Sequence, residues 1–485
     1  MPGTFLGLET ARRGIRVHQH SINITGHNLA NASTPGYTRQ EGVLKATDPY
    51  SNITLESSVT PGQFGTGVAV DNIRRIRDEY LDFQMRRSST DTAYWQDQIL
   101  LLRQAEITFA EPLDKGINTK LVDFFKGWMN LENMPQDPGV KASVVVLGDG
   151  LAKLMQTTYN QLESIQHNIA QIDGAGTVVT GGMLKDQADR ANEALTQIRD
   201  LTATIKNVYA VGQQPNDLLD QRDMLLEELS KFGPVEAVHE TGPDGKPTGD
   251  FSVLNFFGHD VRIAPSGDSL SLEVDAVTGD VRLLVTDTGG AVNVKNLTQD
   301  CNADTRGSLL GLESSRQIII DARNKLNELA IALRDQVNSQ NPAPGSPPII
   351  PAVDFFTGDL ENSNFGVEAD LLDDPSRLDG TVAGAVAAIR DLDITFTGAS
   401  NQCTLEEYFG VITAGVGAGA KRANDMAATQ SAIKTQVGNL MKSVSGVSTD
   451  EEITKLLQYN YGFQASSRVV SVIDDMLDVV INRLF

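Results

Sequence analysis

The chain has 485 residues, with 40 Lys+Arg against 63 Asp+Glu and a formal charge of −23. That length holds roughly two to four domains, and the acidity argues against nucleic acid or anionic membrane as partners, since both would repel the chain at long range. There is no apolar run near the roughly 18 residues of a membrane span, and the polar "GIRVHQHSINIT" after Arg12 and Arg13 cannot form a cleavable signal.

In chain order, Leu8, Ile15, Ile22 and Leu29 recur every seven residues and predict a helix with a narrow apolar seam. Its intermediate positions, Ala11, His18 and Thr25, are weak. "NASTPGYTRQ" (31–40) then ends the helix. Asn31 can close it in the left-handed region, Pro35 pushes Thr34 out of the α region, and Pro35-Gly36 is a turn pair. Ile73, Ile76, Tyr80 and Phe83 predict a second helix running to about residue 110, with Arg74, Arg75, Arg77, Arg86 and Arg87 on a solvated face. Leu162, Ile165, Ile169 and Ile172 mark a third helix, and Ile198, Leu201, Ile205 and Val208 a fourth. "NDLLDQRD" reads as a capped helix start, with Asn216 or Asp217 as N-cap.

Between about 236 and 308 the period changes to two. "SLSLEVDAVTGDVRLLV" is a hairpin pattern turning at Thr278-Gly279-Asp280, and "DFSVLNFFGHDVRI" resembles it. A β-rich module with short connections is therefore expected, separable from the helical body. Ile319, Ala322, Leu326, Leu329, Leu333 and Val337 mark a further helix. "NPAPGSPPIIP" (341–351) reads as a stiff loop, and Ile433, Val437, Leu440 and Val444 as one more helix. At the C-terminus Leu456, Phe463, Val470, Leu477 and Leu484 repeat the spacing of seven, with Tyr459, Ile473 and Val480 as intermediates and an interruption at Ser466.

These elements predict a mainly α fold with a β-rich insert. The expected chain is elongated and multidomain, with N- and C-terminal coiled-coil helices, an α-helical bundle body and an outer β domain. The domains are expected at 1–40 plus 445–485, at 41–235 plus 309–444, and at 236–308. The two terminal seams, similar in length and without an adjacent core, are expected to pair with each other or with neighbouring subunits. Two helices alone bury too little to offset the entropy of ordering them. The ends are therefore expected to be mobile in the monomer and to fold on assembly.

Catalytic chemistry finds no foothold. His18 and His20 point to different helix faces. His239-Glu240 is followed by Thr241, Gly242 and Pro243, so no H-E-x-x-H zinc motif forms. "GVGAG" (415–419) follows no strand and reads as a flexible or close-packed helical segment. Cys301 and Cys403 read as free thiols. No catalytic, cofactor or metal residue is expected, and the chain is not expected to be an enzyme.

"NITGHNLANASTPGYTRQ" resembles the N-terminal signature of the bacterial flagellar axial family (rod, hook and hook-associated proteins). "SVSGVSTDEEITKLLQYNYGFQASSRVVSVIDDMLDVVI" resembles its C-terminal signature. "QPNDLLDQRDMLLEELS", with "LVDFFKGWMNLENMPQDP" and "LNELAIALRDQVNSQN", narrows the resemblance to members that join hook to filament. Departures from the family pattern are Lys141 and Ser448-Thr449. The resemblance implies a structural protein, exported uncleaved through the flagellar type III channel to an extracellular place. It implies terminal helices packed in an inner tube, with "NASTPGYTRQ" marking where the chain turns outward. Implied partners are the hook protein, the second junction protein, copies of the chain in a ring and a cytoplasmic export chaperone. Alternatives are another axial protein, such as the hook or distal rod protein, or an extracellular enzyme domain carried in the insert.

Overall fold

The computed structural model describes residues 4–49, 65–109, 116–243, 245–262, 269–287, 289–301, 306–340, 354–396 and 402–482. The Pro-rich stretch and Leu484 lie outside them, as does the side chain of Val480. The first and last described helices, α1 (Thr4–Ala30) and α12 (Thr449–Asn482), form an antiparallel pair. Asn28 Nδ2 donates to Glu452 Oε2 at 2.9 Å at one end of the pair. At the other end Gly7 lies against Ile473. A hairpin of β1 (Gln40–Ala46) and β2 (Val68–Arg75) runs along α1, its Gly42 close to Ile24 and its Gly67 close to Thr10 and Arg13. These four elements make an arm; at 34 residues, α12 is about 50 Å long.

The body is built on a second antiparallel pair, α2 (Glu79–Thr108) with α11 (Leu405–Ser445). Asp78 caps α2 by accepting from the Tyr80 and Leu81 N–H groups. Thr404 and Glu407 form a reciprocal capping box that starts α11. The "GVGAG" segment is helical within α11, and Gly419 approaches Leu102 of α2. Against this pair pack α8 (Ser308–Ser339), the antiparallel hairpin of α3 (Ile117–Asn133) with α4 (Pro138–Ile169), and α5 (Met183–Ala210) with α6 (Asn216–Phe232). Two short strands, β3 (Gln171–Ile172) and β4 (Val179–Gly181), link α4 to α5.

Two three-stranded antiparallel sheets occupy the insert. The first is β5 (Val235–Thr241), β6 (Pro247–Phe256) and β7 (His259–Asp260); the second is β8 (Leu270–Val274), β9 (Val281–Thr286) and β10 (Val292–Asn296). The hairpin pattern is literal in β8, where Leu270, Leu272 and Val274 are buried and Ser271 and Glu273 exposed. Between β6 and β7 the turn is Phe257-Gly258, with φ of 51° and 82°. Both values are positive, as a twist-matched two-residue hairpin requires. A single turn, α7 (Leu297–Asp300), leads towards α8. After α8 come β11 (Phe356–Thr357), β12 (Gly366–Val367), α9 (Ala369–Asp373) and α10 (Ala383–Ala388), which pack on α3 and α4. Phe355 and Phe356 there join a ring cluster with Phe124 and Trp128.

Three expectations change. Residues 68–75 form a strand, and the helix begins only at Glu79. Ile73 belongs to the hairpin, and Tyr80 and Phe83 are 65 % and 46 % exposed, so their spacing marked no buried face. Ile172 leaves α4 for β3. The insert is also not attached through its ends alone. Phe256, Leu272 and Leu283 belong to the same buried cluster as Leu195 of α5 and Leu310 of α8. The side chain of Asn192 on α5 clamps both backbone groups of Leu270, at 2.8 and 2.9 Å.

Candidate assembly site

All four N-terminal seam residues, Leu8, Ile15, Ile22 and Leu29, are half-buried on α1. Leu456, Phe463, Val470 and Leu477 are half-buried on α12. The helix pair brings the two sets together, but the line that faces the partner most closely is a neighbouring one. Ala11, Ser21, Thr25 and Asn28 are buried there. A Cβ on Gly14 would lie 2.9 Å from Ser466 Oγ, and one on Gly462 would lie 2.4 Å from the His18 ring. The weak intermediates Ala11, His18 and Thr25 are therefore contact positions. Small residues let the two backbones approach, and the large apolar side chains flank them. Ser466 sits where Gly14 approaches, so the interruption of the C-terminal repeat is part of the fit.

A second apolar face of α12 has no cover among the described residues. Ile453, Leu457, Tyr461, Val469, Val472, Met476 and Val479 are 44–69 % exposed and follow one another at three- and four-residue steps, with exposed Ala465 filling the gap between Tyr461 and Val469. A continuous exposed stripe of this size marks an interaction surface.

At its inner end the arm meets the body through charges that sequence reading had placed elsewhere. Arg75 Nη1 donates to Asp220 and to Asp223, each at 2.7 Å. Arg77 pairs with Asp82 at 2.5 Å and Asp223 at 3.0 Å. The Thr38 N–H donates to Asp220 Oδ2 at 3.0 Å, and Gln40 Nε2 to Asp217 at 2.8 Å. Asn216 Nδ2 donates to the Ile73 carbonyl at 3.0 Å. The capped-start reading of "NDLLDQRD" is thus replaced: Pro215 is the N-cap residue, without a side-chain hydrogen bond, and the polar residues of α6 reach outward to the hairpin. Arg75 and Arg77 are likewise half-buried partners of carboxylates, not a solvated face. The same end carries Tyr37, whose hydroxyl donates to Asn28 Oδ1 at 2.8 Å, and Arg39, which pairs with Glu451 at 3.2 Å. Residues 31–40, 216–223 and 445–452, three stretches quoted for the family resemblance, therefore converge on one joint.

Behind it lies a cavity of about 430 Å³ lined by Arg75, Arg77, Asp82, Arg222, Asp223 and His239. Burial pushes Asp223 upward, but Arg77 and Arg75 outweigh it and hold the carboxyl below its usual range. Burial, reinforced by Arg222, lowers His239 to about 4, and burial lowers Arg222 to about 10. Arg222 Nη2 meets His239 Nδ1 at 3.1 Å, and its guanidinium lies 4.2 Å from the Phe251 ring centroid. Asp82 and Asp223 are paired with Arg77 and Arg75, while Arg222 is held by the Gly249 carbonyl at 2.7 Å and the Phe251 ring. Both cysteines are free; burial pushes the Cys301 thiol up to about 12, far from a reactive thiolate. Among the described residues there is no group of three His, Cys, Asp or Glu able to hold a metal, and no helix long and apolar enough to cross a membrane.

The family profile described as the flagellar hook-associated protein FlgK helical domain matches residues 102–343. The C-terminal profile of the flagellar basal body rod FlgEFG proteins matches residues 438–484. Flagellar hook-associated protein 1 of Bacillus subtilis is 26 % identical over the whole chain and 99 % of its own length. The chain belongs to the flagellar hook-associated protein 1 family. The Escherichia coli hook-associated protein 1 is 24 % identical over 69 % of the chain, which spans 57 % of that relative. The solved flagellar hook junction protein FlgK from Burkholderia pseudomallei aligns over 53 % of this chain and 43 % of its own, at 21 % identity and a TM-score of 0.42. The joint draws on both matched ranges and on residues 38–77 ahead of them. Asp220 and Asp223 fall in the helical-domain match, and Ser445 to Glu452 in the C-terminal one. The joint had one local signal: Asp220 and Asp223, three apart on a helix, and Arg75 and Arg77, two apart on extended chain, each present one face.

Proposed function

We propose that the chain is the structural subunit of the bacterial flagellum that joins hook to filament and permits filament growth. The observation that carries this reading is the uncovered apolar stripe of α12, on an arm built from both ends of a hook-associated protein 1 relative. Such a stripe needs further helices, and copies of the same arm in a ring supply them. The seam residues Leu8, Ile15, Ile22, Leu29, Leu456, Phe463, Val470 and Leu477 hold each arm together and flank that contact. The chain acts through packing, without catalysis, outside the cell, and it is exported uncleaved through the flagellar channel. Its neighbours are the hook protein on one side and the second junction protein on the other, with an export chaperone before assembly. The working division takes the arm, 4–46 and 68–75 with 449–482, as inner tube, 79–235 with 309–445 as body, and 236–308 as the outward β region packed on that body.

Deleting the gene tests the assignment. Complete hooks without filaments, with flagellin lost to the medium, are expected. Cells without hooks would point to a hook or distal rod protein, and unaltered filaments would remove the assignment.

A further inference from the structure

Arm and body touch without sharing an apolar core. The buried apolar cluster of the body begins at Tyr94 and ends at Ala427 among the described residues. Ala11, Val17 and Ile473, the buried apolar residues of the arm helices, lie outside it. Two short covalent links, 76–78 and 446–448, connect the two parts. Most of what crosses between them is polar, Arg75 to Asp220 and Asp223, the Thr38 N–H to Asp220, and Gln40 to Asp217; beside these, Met224 of α6 lies against Gly36. The Arg39 N–H adds a bond to the Ser445 carbonyl at 2.9 Å. The side chains of Asp220 and Asp223 are 6 % and 5 % exposed, and that of Arg75 13 %. Buried Asp82 Oδ1 and Arg222 Nε, beside them, find no hydrogen-bond partner among the described residues.

We propose that this joint is an ionic latch: the arm docks on the body through Arg75 and the Asp220–Asp223 pair, and can undock as a unit while the body stays folded. An apolar interface tolerates sliding, because burial has no direction. A buried ion-pair contact does not; it is made in one geometry or left uncompensated. The arm therefore has a docked and an undocked state with little between. In use this rests on the junction reading, since an arm that can reseat lets one chain fit two different tubes; the latch itself is tested on the isolated protein.

The test is amide hydrogen exchange by mass spectrometry on the full chain, comparing wild type with Asp220→Asn/Asp223→Asn. Peptides covering 38–45 and 70–76 should exchange roughly a hundred-fold or more faster in the variant, as expected when buried charges lose their partners. Peptides of α4, α5 and α8 should keep wild-type rates. Arg75→Gln is the control, because Asp223 keeps Arg77 and α6 is untouched; it should reproduce the effect. The latch is overturned if joint peptides are unprotected in wild type or unchanged in the variants, if the body accelerates equally, or if only the Asp variant responds.

Discussion

Val470 lies half-buried on α12, with Phe463 and Leu477 one heptad away on either side. An aspartate there would place an unpaired carboxylate where assembly excludes water, at a cost on the order of 2–7 kcal/mol per subunit. The body cluster ends at Ala427, so its melting should not respond. Val470→Asp is therefore expected to leave the melting temperature of the isolated protein unchanged and to abolish incorporation and filament growth. Asn460→Asp, at an exposed polar position, should do much less. Normal assembly of Val470→Asp would refute the seam. His239 gives a second prediction. Burial and Arg222 lower it to about 4 from the ordinary 6.5, so between those values the folded protein binds fewer protons than the unfolded chain. The stability it contributes is complete above about pH 6.5 and is lost as pH falls towards 4, at most roughly 3 kcal/mol. His239→Gln should flatten that part of a stability-against-pH curve measured by denaturant titration. An unchanged slope would mean that His239 is charged or exposed in the folded protein.

At the scale of elements, the sheets of the insert decide a stability question. Val281, Leu283 and Val285 of β9 are fully buried within the common cluster, and Asn192 ties β8 to α5. Replacing 236–306 by a short linker would uncover Leu195 and Ile198 on α5. Calorimetry on that deletion should show a large fall in melting temperature or the loss of a cooperative transition. A body that melts as before would make the insert a passenger. The same elements show what local pattern can carry. The stripes of α4, α5 and α8 and the alternation of β8 were legible because each buries one continuous face, which sets its period. Ile73, Ile76, Tyr80 and Phe83 misled because a strand end and an exposed helix start happen to fall at three- and four-residue steps. The joint was out of reach for another reason. Thr38 and Asp220 are 182 positions apart, and an ionic contact between extended chain and helix has no period to detect.

For the whole molecule, the arm is the part with least internal support. It holds few buried apolar residues, whereas the body shares one cluster over more than three hundred positions. Such regions open at lower free energy than the core. Limited proteolysis of the dilute monomer should first cut within roughly residues 1–40 and 445–485, leaving a resistant fragment. Equal protection of arm and body would mean that the pair needs no neighbours.

The antiparallel pairing of α1 with α12 also sets an order of events. The bond from Asn28 to Glu452 spans 424 positions, close to the longest separation this chain permits. Contacts of such high order form late, because the loop they close must be gathered first. Helix α1 has its partner in α12, which follows it through any pore more than four hundred positions later. A chain threaded head-first cannot complete its arm until α12 has passed, so the bare apolar face of α12 arrives late, after the body that precedes it.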